Sequence, residues 1–166
     1  MFIYKDGYYQ PTTRTELDGY IKNFLPAELR TRRNVDDARF ELETEQSVDA
    51  EMFNSNEDIV NLTNGICHLS TSELTPHTPE LLSSIRIPCE FQKNVTLENA
   101  PIFSKFLSDL TSEDSEDKAF ILEYMGGIFS NVPGYRFKRC LILVGPGNTG
   151  KSQLRQLVTA IVGDKN

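Results

Sequence analysis

Residues 140–154 read CLILVGPGNTGKSQL. An apolar run, Leu141 to Val144, leads into Gly145-Pro146-Gly147-Asn148-Thr149-Gly150-Lys151-Ser152, and a stretch with helical periodicity follows. The expected order is strand, tight loop, helix, the setting in which a glycine-rich loop holds a polyphosphate. Leu141, Ile142, Leu143 and Val144 form the short continuous run of a buried parallel strand. Downstream, Leu154, Leu157, Val158 and Ile161 recur at helical spacing, and Gly163 stands where a helix C-terminus favours glycine.

The residue types follow from what a polyphosphate requires. Backbone N–H groups must converge on several anionic oxygens, so the loop bends tightly and carries little side-chain bulk at Gly145, Gly147 and Gly150. Pro146, Asn148 and Thr149 complete the turn. The helix that follows directs its first N–H groups, including that of Gln153, and the positive end of its dipole at the same oxygens. Lys151 is expected to reach the phosphates as a mobile charge, and Ser152 to offer its hydroxyl to Mg²⁺. The competing reading is a glycine-rich turn with a chance Lys-Ser, and it is the two flanks that argue against it.

Fourteen residues, Gln153 to Asn166, follow Ser152 in this sequence. A P-loop ATPase also needs a second acidic strand end for Mg²⁺ and the attacking water, and an arginine for the transition state. Each further βα unit of its sheet takes about 30 residues. The expectation is therefore a truncated ATPase start over residues 136–166, preceded by a domain over residues 1–135.

The 166 residues, 39% of them hydrophobic with ten Phe and six Tyr, suffice for one core. No apolar stretch is long enough for a bilayer, and MFIYKDGYY lacks the basic head of a signal peptide, so a cytoplasmic location is expected. Cys67, Cys89 and Cys140 are widely spaced, which argues for reduced thiols. Cys67, His68, His77 and Cys89 have no CxxC-type spacing, so zinc is not expected. The net charge of −7 is local: residues 41–60 carry seven acids and no Lys or Arg, leaving seventeen of each sign elsewhere. Two basic clusters, Arg30-Thr31-Arg32-Arg33 and Arg136-Phe137-Lys138-Arg139, read as solvated positions with contact to nucleic-acid phosphate as the alternative.

Working outward, Phe2 to Tyr9 predicts a hairpin about Asp6-Gly7. Leu17, Tyr20, Ile21, Phe24 and Leu25 predict a helix stopped by Pro26. A second helix is expected from Asn34 as N-cap, with Val35, Ala38 and Leu42 inward. Residues 59–69 read as two strands about an Asn-Gly turn, residues 70–80 as polar loop, and Ser84 to Ile87 as another short strand before Pro88. Pro101 opens a helix carrying Ile102, Phe103, Phe106, Leu107 and Leu110. Ser115, Glu116 and Asp117 open another, carrying Phe120, Ile121, Tyr124, Met125 and Ile128, in which Gly126-Gly127 marks close packing or a break. The aromatic stripes read as core, because they keep the helical period.

In order, NGICHL, TPHTPE, a short apolar run ending at Pro88, FSKFLSDL, ILEYMGGIF and CLILVGPGNTGKS resemble the domain that precedes the superfamily 3 helicase ATPase in phage and plasmid primases and in the poxvirus primase-helicase. The resemblance covers about residues 58–163. It implies an α+β fold, mainly helical with short β-hairpins, followed by the first strand, P-loop and helix of an α/β ATPase. It further implies ATP and Mg²⁺ held at Gly145–Ser152, and DNA, other copies in a ring and a replication protein as partners of the intact parent. The primase acids, second acidic motif, sensor and arginine finger have no counterpart here. Two other readings stay open: another P-loop enzyme, such as an AAA+ loader or small kinase, or a DNA- or protein-binding module with a vestigial loop. The acidic 41–60 stretch favours a protein partner at least as much as nucleic acid.

Overall fold

A computed structural model describes residues 1–132 and 134–163, without the side chains of residues 134 and 135. The backbone divides into two compact units, Met1–Ser55 with Thr78–Ser84, and Asn56–His77 with Ile85–Asn166.

The first unit opens with a two-stranded antiparallel hairpin, β1 (Phe2–Lys5) and β2 (Tyr8–Pro11), in which Lys5 faces Tyr8. Asp6 (φ 53°) and Gly7 (φ 87°) both take left-handed backbone, as a two-residue hairpin turn requires. Helix α1 (Arg14–Phe24) starts with a reciprocal capping box: the Thr13 hydroxyl accepts from Glu16 N–H, and the Glu16 carboxylate accepts from Thr13 N–H at 2.8 Å. That bond, reinforced by the Thr13 hydroxyl, holds the Glu16 carboxyl below its ordinary pKa. The helix ends before Pro26, as expected.

Helix α2 (Arg32–Glu45) starts earlier than Asn34. The cap is Thr31, whose hydroxyl accepts from Asn34 N–H at 3.2 Å, while the Asn34 amide donates to Leu29 O at 2.9 Å. Its inner face also differs. Val35 is buried and Leu42 is exposed, and the other buried residue is Arg39, with 5% of its surface accessible. Arg39 donates to Asp18 on α1 and to Asp36, each at 2.5 Å, with Glu43 at 3.8 Å. The segment 78–84 joins this unit through Tyr9 N–H to Ser83 O (2.7 Å), Asn54 N–H to Leu82 O (3.2 Å) and a side-chain pair between Asn54 and Ser84.

The second unit contains a three-stranded antiparallel sheet, β3 (Ile59–Leu62), β4 (Gly65–His68) and β5 (Glu73–Thr75), in that order. Gly65 pairs with Leu62, so Thr63-Asn64 makes the turn and Gly65 opens β4. A Cβ on Gly65 would lie 2.6 Å from Thr75 O. Strand β5 falls inside the stretch read as loop. Its three residues are too few to show alternation, and cross-strand bonds to β4 define it. Ser84–Ile87 is not a strand. Ile87 makes one parallel bridge to Leu62, and Pro88, lacking an N–H, breaks the ladder there. That bridge still covers the second edge of β3, all four residues of which are buried.

Helices α3 (Pro101–Leu110, Pro in its first turn) and α4 (Ser115–Phe129) follow, then a single turn α5 (Gly134–Phe137) and α6 (Lys151–Val162). Asp114 caps α4, accepting from Glu116 and Asp117 N–H at 2.9 Å. Helix α4 runs unbroken through Gly126-Gly127; the second glycine marks close packing, since a Cβ there would meet the Phe137 ring at 2.6 Å. Leu107, Ile121, Met125 and Leu154 form one buried cluster, and Val60, Leu62, Cys67 and Ile87 another. Phe129 and Ile161 pack against both. Among the described residues no helix is long and apolar enough to cross a membrane.

The run Leu141–Val144 is not a strand, against expectation. A parallel strand is held by hydrogen bonds to neighbours on its flanks, and among the described residues no strand pairs with it. Leu141 and Leu143 rest on the helical cluster, while Ile142 and Val144 are 75% and 92% exposed. The alternation has therefore survived without the sheet. The P-loop ATPase portion of the expected fold is thus represented by its loop and helix, and not by its strand.

Candidate functional site

The residues 145–153 lie together at the start of α6. The loop bends through Asn148 (φ 61°) and Gly150 (φ 89°), and Gly150 serves as the N-cap of α6. Glycine is needed at 150 twice over: its backbone is left-handed, and a Cβ would lie 2.9 Å from the Phe106 ring. Helix α3, through Phe106, thus sets how the loop enters α6. Phe106 was not expected to touch the site; only its place on the inner stripe of α3 is visible in sequence.

No side chain caps the N-terminus of α6. The amides of Lys151, Ser152 and Gln153 occupy the first turn, where N–H groups have no partner within the helix and the dipole is positive. Thr149 closes the turn by donating its hydroxyl to Pro146 O at 3.1 Å. The Lys151 ammonium folds back over the loop, donating to Gly145 O (3.1 Å), Pro146 O (2.5 Å) and Thr149 Oγ1 (2.8 Å). Ser152 is exposed. This geometry fits a polyanion, provided the ammonium exchanges carbonyl oxygens for anionic ones. The bond to an anionic oxygen is the stronger.

Beside the loop a cavity of about 410 Å³ lies between α4, α6 and the 141–143 run, lined by Tyr124, Met125, Leu141, Leu143, Lys151 and Arg155, among others. Its walls are mainly apolar, and the charged groups sit on α6.

The other residues singled out are dispersed. Cys67 is buried in the sheet cluster, where burial first and the Asp58 charge second push its thiol pKa up, keeping it protonated. His68 Nε2 lies 3.2 Å from Thr75 Oγ1, and its Nδ1 4.0 Å from Asp58. His77 Nε2 is 2.8 Å from Leu62 O, which fixes the TPHTPE segment against β3. The Cys89 thiol faces Ile161 O at 3.9 Å. Among the described residues no group of three or more His, Cys, Asp and Glu could hold a metal ion.

Of the basic clusters, Arg32 and Arg33 make exposed i,i+4 pairs with Asp36 and Asp37, Arg30 donates to Leu25 O at 2.9 Å, and Arg136 pairs with Glu57. These partners are acids and carbonyls of the chain itself.

Comparison with known families places a match to the model described as D5 N terminal like over residues 11–112. The match begins upstream of the resemblance read from residue 58 and ends before Gly145. No curated protein matches the chain.

Proposed function

Because the chain belongs to the family described as D5 N terminal like, we propose that it serves in a DNA-replication protein of the phage or plasmid primase-helicase type, and that residues 145–152 form a Walker A loop for ATP. The carrying observation is the uncapped start of α6 behind a left-handed Gly150, with Lys151 poised on the loop. On this reading the amides of Gly147 through Gln153 hold the phosphates, with Lys151 countering their charge. Ser152 would hold Mg²⁺, which when bound neutralises phosphate charge. The partners on the same reading are DNA and further copies of the protein in a ring, in the cytoplasm. A domain boundary near residue 135 belongs to this proposal as well.

The test is thermal. A ligand that binds only the folded chain raises its melting temperature in proportion to the logarithm of its saturation. ATP with Mg²⁺ is expected to raise the melting temperature of the wild type and to leave that of Lys151→Ala unmoved. An equal shift in both would remove the loop from the nucleotide site. No shift in either would favour the reading in which the loop is vestigial and the chain is a binding module.

A further inference from the structure

The first unit carries a groove of about 620 Å³ unrelated to the loop. Its walls include Phe2, Tyr9, Val48, Phe53 and Leu82. Phe53 is the floor, with its ring 5.2 Å from that of Phe2 and 5.3 Å, edge-on, from that of Tyr9. Phe2 and Val48 remain 49% and 43% exposed. A volume of this size accepts several side chains of a ligand.

The rim is acidic throughout. From Phe40 to Ile85 the sequence contains no Lys or Arg, and Glu45, Asp49 and Glu51 alternate with the lining residues Gln46, Val48 and Ala50. All three acids are exposed, and none makes an ion pair among the described residues. Phosphates are repelled by such a rim, whereas Lys and Arg are drawn to it.

We propose that this groove docks a segment of a partner polypeptide that combines apolar side chains with Lys or Arg. The apolar side chains fill the space above Phe53, and the cations meet Glu45, Asp49 and Glu51. The occupant follows from charge complementarity about an apolar floor, and it is independent of nucleotide at residues 145–152.

The test uses the full chain and two synthetic peptides with the same Leu and Phe positions, one with Lys and Arg between them and one with Glu. The cationic peptide is expected to shift the backbone amide resonances of Val48, Phe53 and Leu82. Its affinity should fall as salt rises, and by about tenfold in Glu45→Lys/Glu51→Lys. Both substituted positions are exposed, so folding is preserved, and unchanged circular dichroism checks this. Val48→Asp should weaken binding without reversing the rim. The proposal is overturned if neither peptide binds, if the acidic peptide binds equally, if charge reversal leaves affinity unchanged, or if a single-stranded oligonucleotide takes the groove in preference.

Discussion

Arg39 shows what one side chain can decide. Its guanidinium is withdrawn from water, and its two short hydrogen bonds tie α1 to α2 through Asp18 and within α2 through Asp36. The bond from Arg39 is the foremost cause holding the Asp36 carboxyl below its ordinary value near 3.8. A carboxyl more acidic in the folded chain contributes stability that is present above its unfolded pKa. That contribution is lost as pH falls through the unfolded value toward the folded one. Wild type should therefore lose melting temperature steadily from about pH 5 downward. Arg39→Met keeps the apolar stem but removes the partner, and should lower stability at neutral pH while flattening the acid slope. Melting curves across that range check it; an identical acid slope in the variant would mean that Asp36 is not linked to Arg39. Glu16, held acidic by the Thr13 cap, contributes a slope of the same sign that the variant leaves intact.

Among the elements, α4 offers an internal control. Gly126 and Gly127 are adjacent in one helix, yet a Cβ on Gly126 meets nothing within 4 Å, whereas one on Gly127 meets Phe137 at 2.6 Å. Gly126→Ala should stabilise the chain by about 0.5–1 kcal/mol, through the conformational freedom alanine removes from the unfolded helix. Gly127→Ala gains the same propensity but must displace the Phe137 ring, so it should fall at least about 1 kcal/mol below Gly126→Ala in denaturant melts. Equal effects would show that Phe137 gives way freely. The dipeptide could be located by reading the sequence, but the reading does not tell which glycine is needed. Helical phase turns neighbouring positions by about 100°, and only the partner makes one face crowded.

Over the whole molecule, the larger unit is one folding unit built on two clusters. Phe129, at the C-terminus of α4, and Ile161, on α6, touch both the sheet cluster and the helical one. Phe129→Ala should cost about 2–4 kcal/mol, the usual range for large-to-small core changes reduced for partial exposure. It should also lower amide-exchange protection in β3, β4, α3 and α6 alike. Loss confined to one cluster would show that the two open separately. The sequence by itself determined the hairpin at Asp6-Gly7, the helix starts at Pro101 and Ser115, the glycine-rich loop and the helix after it. Each depends on backbone chemistry within a few residues: a left-handed turn, a missing N–H, a cap, a 3.6-residue stripe. Only the tertiary structure decided that Arg39 lies inward, that Glu73–Thr75 is a strand, that Leu141–Val144 is not, and that Phe106 seats Gly150. Those outcomes depend on partners distant in sequence. A buried charge needs two acids placed around it, and a strand exists only where another backbone offers the hydrogen bonds its own residues cannot make for themselves.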